Sequence, residues 1–308
     1  MTSEEAKSLL ELARAAKLGP GPEAVSWSER LMPRKDALRR AMDWFLETGD
    51  TDAALELAAG VWRLWPLSGD VSGGRDMLGR SLAAAAKQPP TRAFAQASYA
   101  DGLLAFRQGC QAESQERNEA ALSAADTIGD RSLQALAYVG LSRVALRAGE
   151  YERVCSLAER ARVLVANAPA DEQLMPLHMQ AAGTRLLGNY DRARMLYLEN
   201  LALSRRLEDT FMVAVELHNL GHVEIHRGDP GAARAYFRDC SALRQGSTAP
   251  YDLAMEHLNR AAIANCEGKS EEAKEGLGRT EATLAEVGIV LDPDDRFELD
   301  WLRARLTA

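Results

Sequence analysis

Three imidazoles recur at four-residue spacing in "HNLGHVEIHRGDPGAARAYF": His218, His222 and His226, with Glu224 among them. Residues at i, i+4 and i+8 share a helix face, so the three form one stripe. Two imidazoles so spaced can hold one metal, as in HExxH. Here the segments read HNLGH and HVEIH, and neither places a glutamate directly after its first histidine. A first-row metal site needs further ligands, and none stands nearby in the chain. The stripe is therefore expected to be polar and groove-facing, with no metal and no cofactor.

Other catalytic signatures are missing. "GPGPEAVS" lacks the lysine of a phosphate-binding GxxxxGK[ST] loop, and no nucleophile elbow occurs. Ser98, Ser142 and Cys266 are not paired with a base in any motif. Carboxylates such as Glu113, Glu116 and Glu119 read as a solvated helix face. The four cysteines form no CxxC pair and read as small apolar fillers in a reducing cytosol. A net charge of -8 argues against nucleic acid or an anionic membrane as partner. No apolar run approaches the ~20 residues that span a bilayer. "MTSEEAKSLLELARAAK" carries no signal-peptide core. The expected protein is cytoplasmic and not an enzyme.

The element that carries the histidines belongs to a repeat. Glycines fall at Gly69, Gly109, Gly149, Gly188, Gly228 and Gly268, with spacings of 40, 40, 39, 40 and 40. Such a period marks a solenoid. Seven residues before the glycine stand Trp62, Gly102, Ser142, Ala181, Gly221 and Ala261, small in five of six. Five residues after it the side chain is again mostly small. Small residues at fixed places let two helices approach closely, and glycine takes the turn conformation other residues resist. A second lattice of breaks lies about twenty residues out of phase: "ETGD" at 47–50, "KQPP" at 87–90, "TIGD" at 127–130, "NAPAD" at 167–171, "RLED" at 206–209 and "GSTAP" at 246–250. Each unit is then helix, glycine turn, helix, break, and no strand alternation competes.

The ends read differently. Residues 3–16 and 28–47 are expected helices, separated by "LGPGPEAVSW". Four of five tryptophans, Trp27, Trp44, Trp62 and Trp65, lie in the first 65 residues and suggest a bulky core, with an aromatic ligand box as the alternative. "LDPDDRFELDWLRARL" reads as a closing helix, with Asp292 as N-cap and Pro293 in the first turn.

"YADGLLAFRQG", "LLGNYDRARMLYLENLALSRRLED" and "HNLGHVEIHRGDPGAARAYF" resemble tetratricopeptide repeats in their LG and GDxxxA features. The units here are about 40 residues rather than the usual 34. The N-terminal stretch "WSERLMPRKDALRRAMDWFLETGDTDAALELAAGVWRLWPLSGDVSGGRDMLGRSLAAA" is similar to the segment that follows the ATPase in bacterial NB-ARC/LuxR-type signal-transduction regulators. The chain carries neither that ATPase's phosphate loop nor an evident helix-turn-helix unit. The expected fold is one domain, 1–308, all-α. It is a right-handed superhelical solenoid of about six helix pairs over 50–287, with N-terminal helices in 1–49 and a capping helix in 288–308.

The tetratricopeptide resemblance implies that first helices line a concave groove, at places ten, six, three and two residues before the turn glycine. Those 24 positions hold Arg63, Arg107, Arg143, Arg147, Arg185, His178, His218, His222 and His226, with Tyr99 among the rest, and no Asp or Glu. The whole chain has more acids than bases, 45 against 37. Arginine presents a planar fork that fits carboxylates and phosphates. These ten residues are the expected ligand-binding set, and an extended, acidic protein or peptide segment is the expected partner, in bacterial regulation or assembly. Packing of arginine stems along the groove would give the same pattern without a ligand. The alternatives are a peptide- or small-molecule-sensing fragment of a regulator, and an enzyme built on the histidine stripe.

Overall fold

All six turn glycines adopt the left-handed backbone, with φ between 73° and 81°. A side chain there would strain against its own carbonyl, which is why the lattice is written in glycine. The computed structural model of the chain describes residues 1–244, 249–287 and 291–307. Residues 246–248 of the last expected break, and 288–290 and 308 of the expected capping segment, lie outside the described residues. Every regular element among those described is a helix.

The N-terminal helices are α1 (Ser3–Ala15), α2 (Glu23–Leu31) and α3 (Lys35–Glu47). The expected single helix over 28–47 is divided by a 3-10 turn, Met32–Arg34. Pro33 is the cause, since it has no N–H to give to the preceding turn. The first repeat is likewise irregular: α4 (Thr51–Val61) stops and α5 (Leu64–Leu67) restarts before the Gly69 turn, leading to α6 (Val71–Ala85). Pro66 cannot bond back to Trp62, and Arg63 is left in the break. The remaining pairs are regular. They are α7 (Arg92–Arg107) with α8 (Gln111–Ile128), and α9 (Arg131–Arg147) with α10 (Tyr151–Val165). Next come α11 (Ala170–Leu186) with α12 (Tyr190–Arg206), and α13 (Thr210–Arg227) with α14 (Pro230–Leu243). Last are α15 (Pro250–Cys266) with α16 (Ser270–Val287), and then α17 (Pro293–Thr307).

The chain packs as two units, one of residues 1–144 and 157–176, the other of 145–156 and 177–308. In the first, Trp65, Phe45, Leu38, Met42 and Leu57 are fully enclosed, with Trp62 beside them and Trp27 and Trp44 packed on the edge. The N-terminal tryptophans are core. In the second, Leu196, Tyr197 and Leu220 form one cluster, and Leu258, Leu299 and Leu302 another that takes in α17. Close approach is evident at Gly221 of α13, where an added Cβ would lie 2.3 Å from the Phe237 ring of α14, and at Gly140 of α9, where it would lie 1.7 Å from Asn118 Oδ1 of α8. The four cysteines are free thiols. No described helix is long and apolar enough to cross a membrane.

Candidate functional site

Four of the ten expected site residues fall in the first unit. Tyr99, on α7, is buried, and its hydroxyl accepts a hydrogen bond from Arg143 Nη1 of α9 at 3.2 Å. Arg63, in the break after α4, stacks its guanidinium 4.5 Å above the Trp62 ring. Burial lowers the Arg63 pKa, and the nearby charges of Arg107 and Arg143 lower it further, with Tyr99 pulling the other way. Arg63 is thus within electrostatic reach of two further guanidiniums. Among the described residues, neither Arg63 nor Arg143 has a carboxylate partner.

The other six fall in the second unit, and their surroundings differ. His178 Nδ1 lies 2.7 Å from Glu216 Oε1, which also accepts from Asn200. Arg185 is wholly buried on α11. Its Nη1 donates to Glu298 Oε1 at 2.9 Å and its Nη2 to Asp294 Oδ2 at 3.3 Å. His218 Nε2 is 2.8 Å from Asp295 Oδ1, and His226 Nε2 is 2.8 Å from Glu298 Oε2. His222 lies between, fully buried, with Nδ1 3.5 Å from Glu298 Oε2. The Tyr251 hydroxyl of α15 donates to the second oxygen of Asp295. Every carboxylate that meets Arg185 and the stripe comes from the first two turns of α17.

The face expected to be open at Arg185, His218, His222 and His226 is therefore covered by the chain's own closing helix. Phe297 and Trp301 extend the cover: Trp301 packs edge-on to His226 at 4.7 Å, and Tyr190 stacks on its other side. Burial alone would raise Glu298, but His222, Arg185 and the hydrogen bond from His226 hold its pKa well below the usual range. Burial would raise Asp295 too, and His218 with the Tyr251 hydrogen bond brings it down to about 2. Burial lowers the His222 pKa, which favours its neutral form. Burial opposes the charge on Arg185, but Tyr197, Glu298 and Asp294 raise its pKa on balance. Arg147 sits apart, lining a cavity of about 960 Å³ with Tyr151, Phe297, Trp301, Leu284 and Arg296.

Asp294, Asp295 and Glu298 stand outside the ten expected site residues. One signal was present: acids at i and i+3 or i+4 in "DPDDRFELD" have the same helical pitch as the histidines they meet.

The helix pairs and their glycine turns form an all-α helical repeat. Residues 173–246 match the family model described as "Tetratricopeptide repeat". Among solved structures, the chain is similar to a Rap protein complexed with competence and sporulation factor. Identity is 17%, 98% of this chain and 79% of that one are covered, and the TM-score is 0.64. It is also similar to BtubC (BKLC) from P. vanneervenii, at 20% identity over 72% of this chain and 93% of that one, TM-score 0.55. The apo form of RapI matches at 11% identity over 92% and 76%, TM-score 0.53. No curated protein matches the chain. Likeness at these identities concerns the fold.

Proposed function

We propose that the protein is a non-enzymatic binding module that takes an extended acidic protein segment on the basic register of its first helices. The observation that carries this is internal. In the second unit, Arg185, His218 and His226 each meet a carboxylate of an acidic helix, α17. In the first unit the same register supplies Arg63, Arg107 and Arg143, and among the described residues Arg63 and Arg143 meet no carboxylate. Crowded guanidiniums repel, so an anionic partner relieves that cost as it binds. Arginine forks add paired hydrogen bonds to a carboxylate. The similar fold solved with a competence and sporulation factor supports a partner of protein type, and a role in bacterial regulation or assembly. A sensor segment of a larger NB-ARC/LuxR-type regulator would use the same face.

The test is titration of the full chain with two labelled peptide libraries of equal length, one acidic and one uncharged, read by fluorescence anisotropy. Saturable binding of acidic peptides that weakens with salt supports the reading. Equal binding of uncharged peptides contradicts it.

A further inference from the structure

The buried cluster beneath α17 holds an excess of acid that its arginine does not balance. Among the described residues, the enclosed Asp295 and Glu298 and the half-buried Asp294 stand around one guanidinium, Arg185, so acids outnumber it if the imidazoles are neutral. Glu298 and Asp295 are almost wholly enclosed. Buried charges require compensation, from protons on the histidines or from a cation. His222 points to the second. It is fully buried, and among the described residues neither ring nitrogen makes a well-formed hydrogen bond, Glu298 Oε2 standing 3.5 Å from Nδ1. One nitrogen each of His218 and His222 and one Asp295 oxygen lie within 4.8 Å of one another.

We infer that His218, His222 and Asp295 form a binding site for one divalent first-row cation of the zinc class, which clamps α17 onto α13. Imidazole nitrogen and carboxylate oxygen are the donors such ions take at about 2.0–2.2 Å, which sets tetrahedral ligand atoms about 3.4 Å apart. The side chains need shift only by about an ångström from their present spacing. Glu298 or a water completes the fourth position. The ion would bring the cluster to neutrality with all three imidazoles uncharged.

The outer partners fit the same assignment. Asn259 places its amide nitrogen 3.4 Å from His218 Nδ1 and leaves its oxygen unpartnered. The two amide orientations are interchangeable in shape. Turned over, Asn259 accepts from Nδ1–H, its oxygen is satisfied, and the Nε2 lone pair is aimed at the site beside Asp295. That is how outer-shell groups orient a metal-binding histidine. The Tyr251 hydroxyl secures the other oxygen of Asp295 in the same manner. The two histidines lacked further ligands in the local sequence because Asp295 arrives from 77 residues downstream.

The experiment uses the full chain, stripped with chelator and then titrated with Zn(II) or Co(II). Expected are one equivalent of zinc retained through gel filtration, a raised thermal midpoint, and the visible bands of a low-symmetry Co(II) centre. His222→Gln and Asp295→Asn should lose the retained equivalent. His226→Gln, outside the ligand set, should keep it. Asn259→Leu should weaken affinity about 10–100-fold, as outer-shell changes do. Wild-type protein that retains no stoichiometric metal overturns the assignment, whatever the variants do. So does undiminished binding in either ligand variant with helicity intact. If a ligand variant unfolds, the wild-type stoichiometry and the Co(II) spectrum decide.

Discussion

Replacing Arg185 by methionine removes the guanidinium that bonds Glu298 and Asp294 of α17. The side chain is fully enclosed and bonds Glu298 at 2.9 Å and Asp294 at 3.3 Å. Methionine is of comparable length and apolar, so packing changes little and the electrostatic loss stands alone. Breaking one side of a buried pair costs about 3–5 kcal/mol, because the remaining charge loses its counter-ion; here Glu298 keeps only its imidazole contacts, chiefly His226 at 2.8 Å. Against a typical domain stability of about 5–15 kcal/mol that is a large share. The assay is urea unfolding followed by helical circular dichroism, in chelator so that no cation substitutes for the guanidinium. The double variant Arg185→Met/Glu298→Met should be more stable than Arg185→Met alone, with a coupling of about 0.5–3 kcal/mol. A single-variant cost below about 1 kcal/mol, the level of a solvated surface pair, would refute the claim that α17 is held by a dry ionic contact.

Gly221→Leu should destabilise by about 1–3 kcal/mol or more, since its Cβ alone would meet the Phe237 ring at 2.3 Å; thermal melts of the two proteins check it. Gly149→Ala places a side chain at φ 75° and should cost about 1–2 kcal/mol in the same assay. Asp70→Ala should cost about 1 kcal/mol by urea midpoint, because its side chain caps α6 through the Gly73 N–H at 2.9 Å.

The repeat was legible in the chain because its turns have a strict local requirement. A left-handed residue after each first helix selects glycine, and small residues at the helix crossing select Gly, Ala or Ser, so Gly188, Gly228 and Gly221 announce themselves. Pro33 and Pro66 are equally visible, yet the apolar pattern runs through them and hides the helix breaks they impose. The basic register at Arg63, Arg143, Arg185 and the histidines was also readable, given the resemblance that fixes the register. What covers it was not. Asp295 and Glu298 meet His218 and His226 across 77 and 72 residues, and no local pattern encodes a contact of that range. Helix α17 looked like a simple cap because its acids resemble an ordinary N-terminal first turn.

Peptide affinity in charge-deleted variants tests the central claim most directly. Arg143→Ala and Arg107→Ala remove guanidiniums of the basic register in the first unit. Arg160→Ala removes one that is exposed on α10 over Tyr138, as a control. Binding of acidic peptides is measured at two salt concentrations. Screening acts over about 8 Å at physiological ionic strength. The account predicts that both cluster variants bind more weakly than wild type, with a smaller dependence on salt, and that Arg160→Ala binds like wild type. Unchanged affinity in both cluster variants, or the same loss in Arg160→Ala, would contradict it.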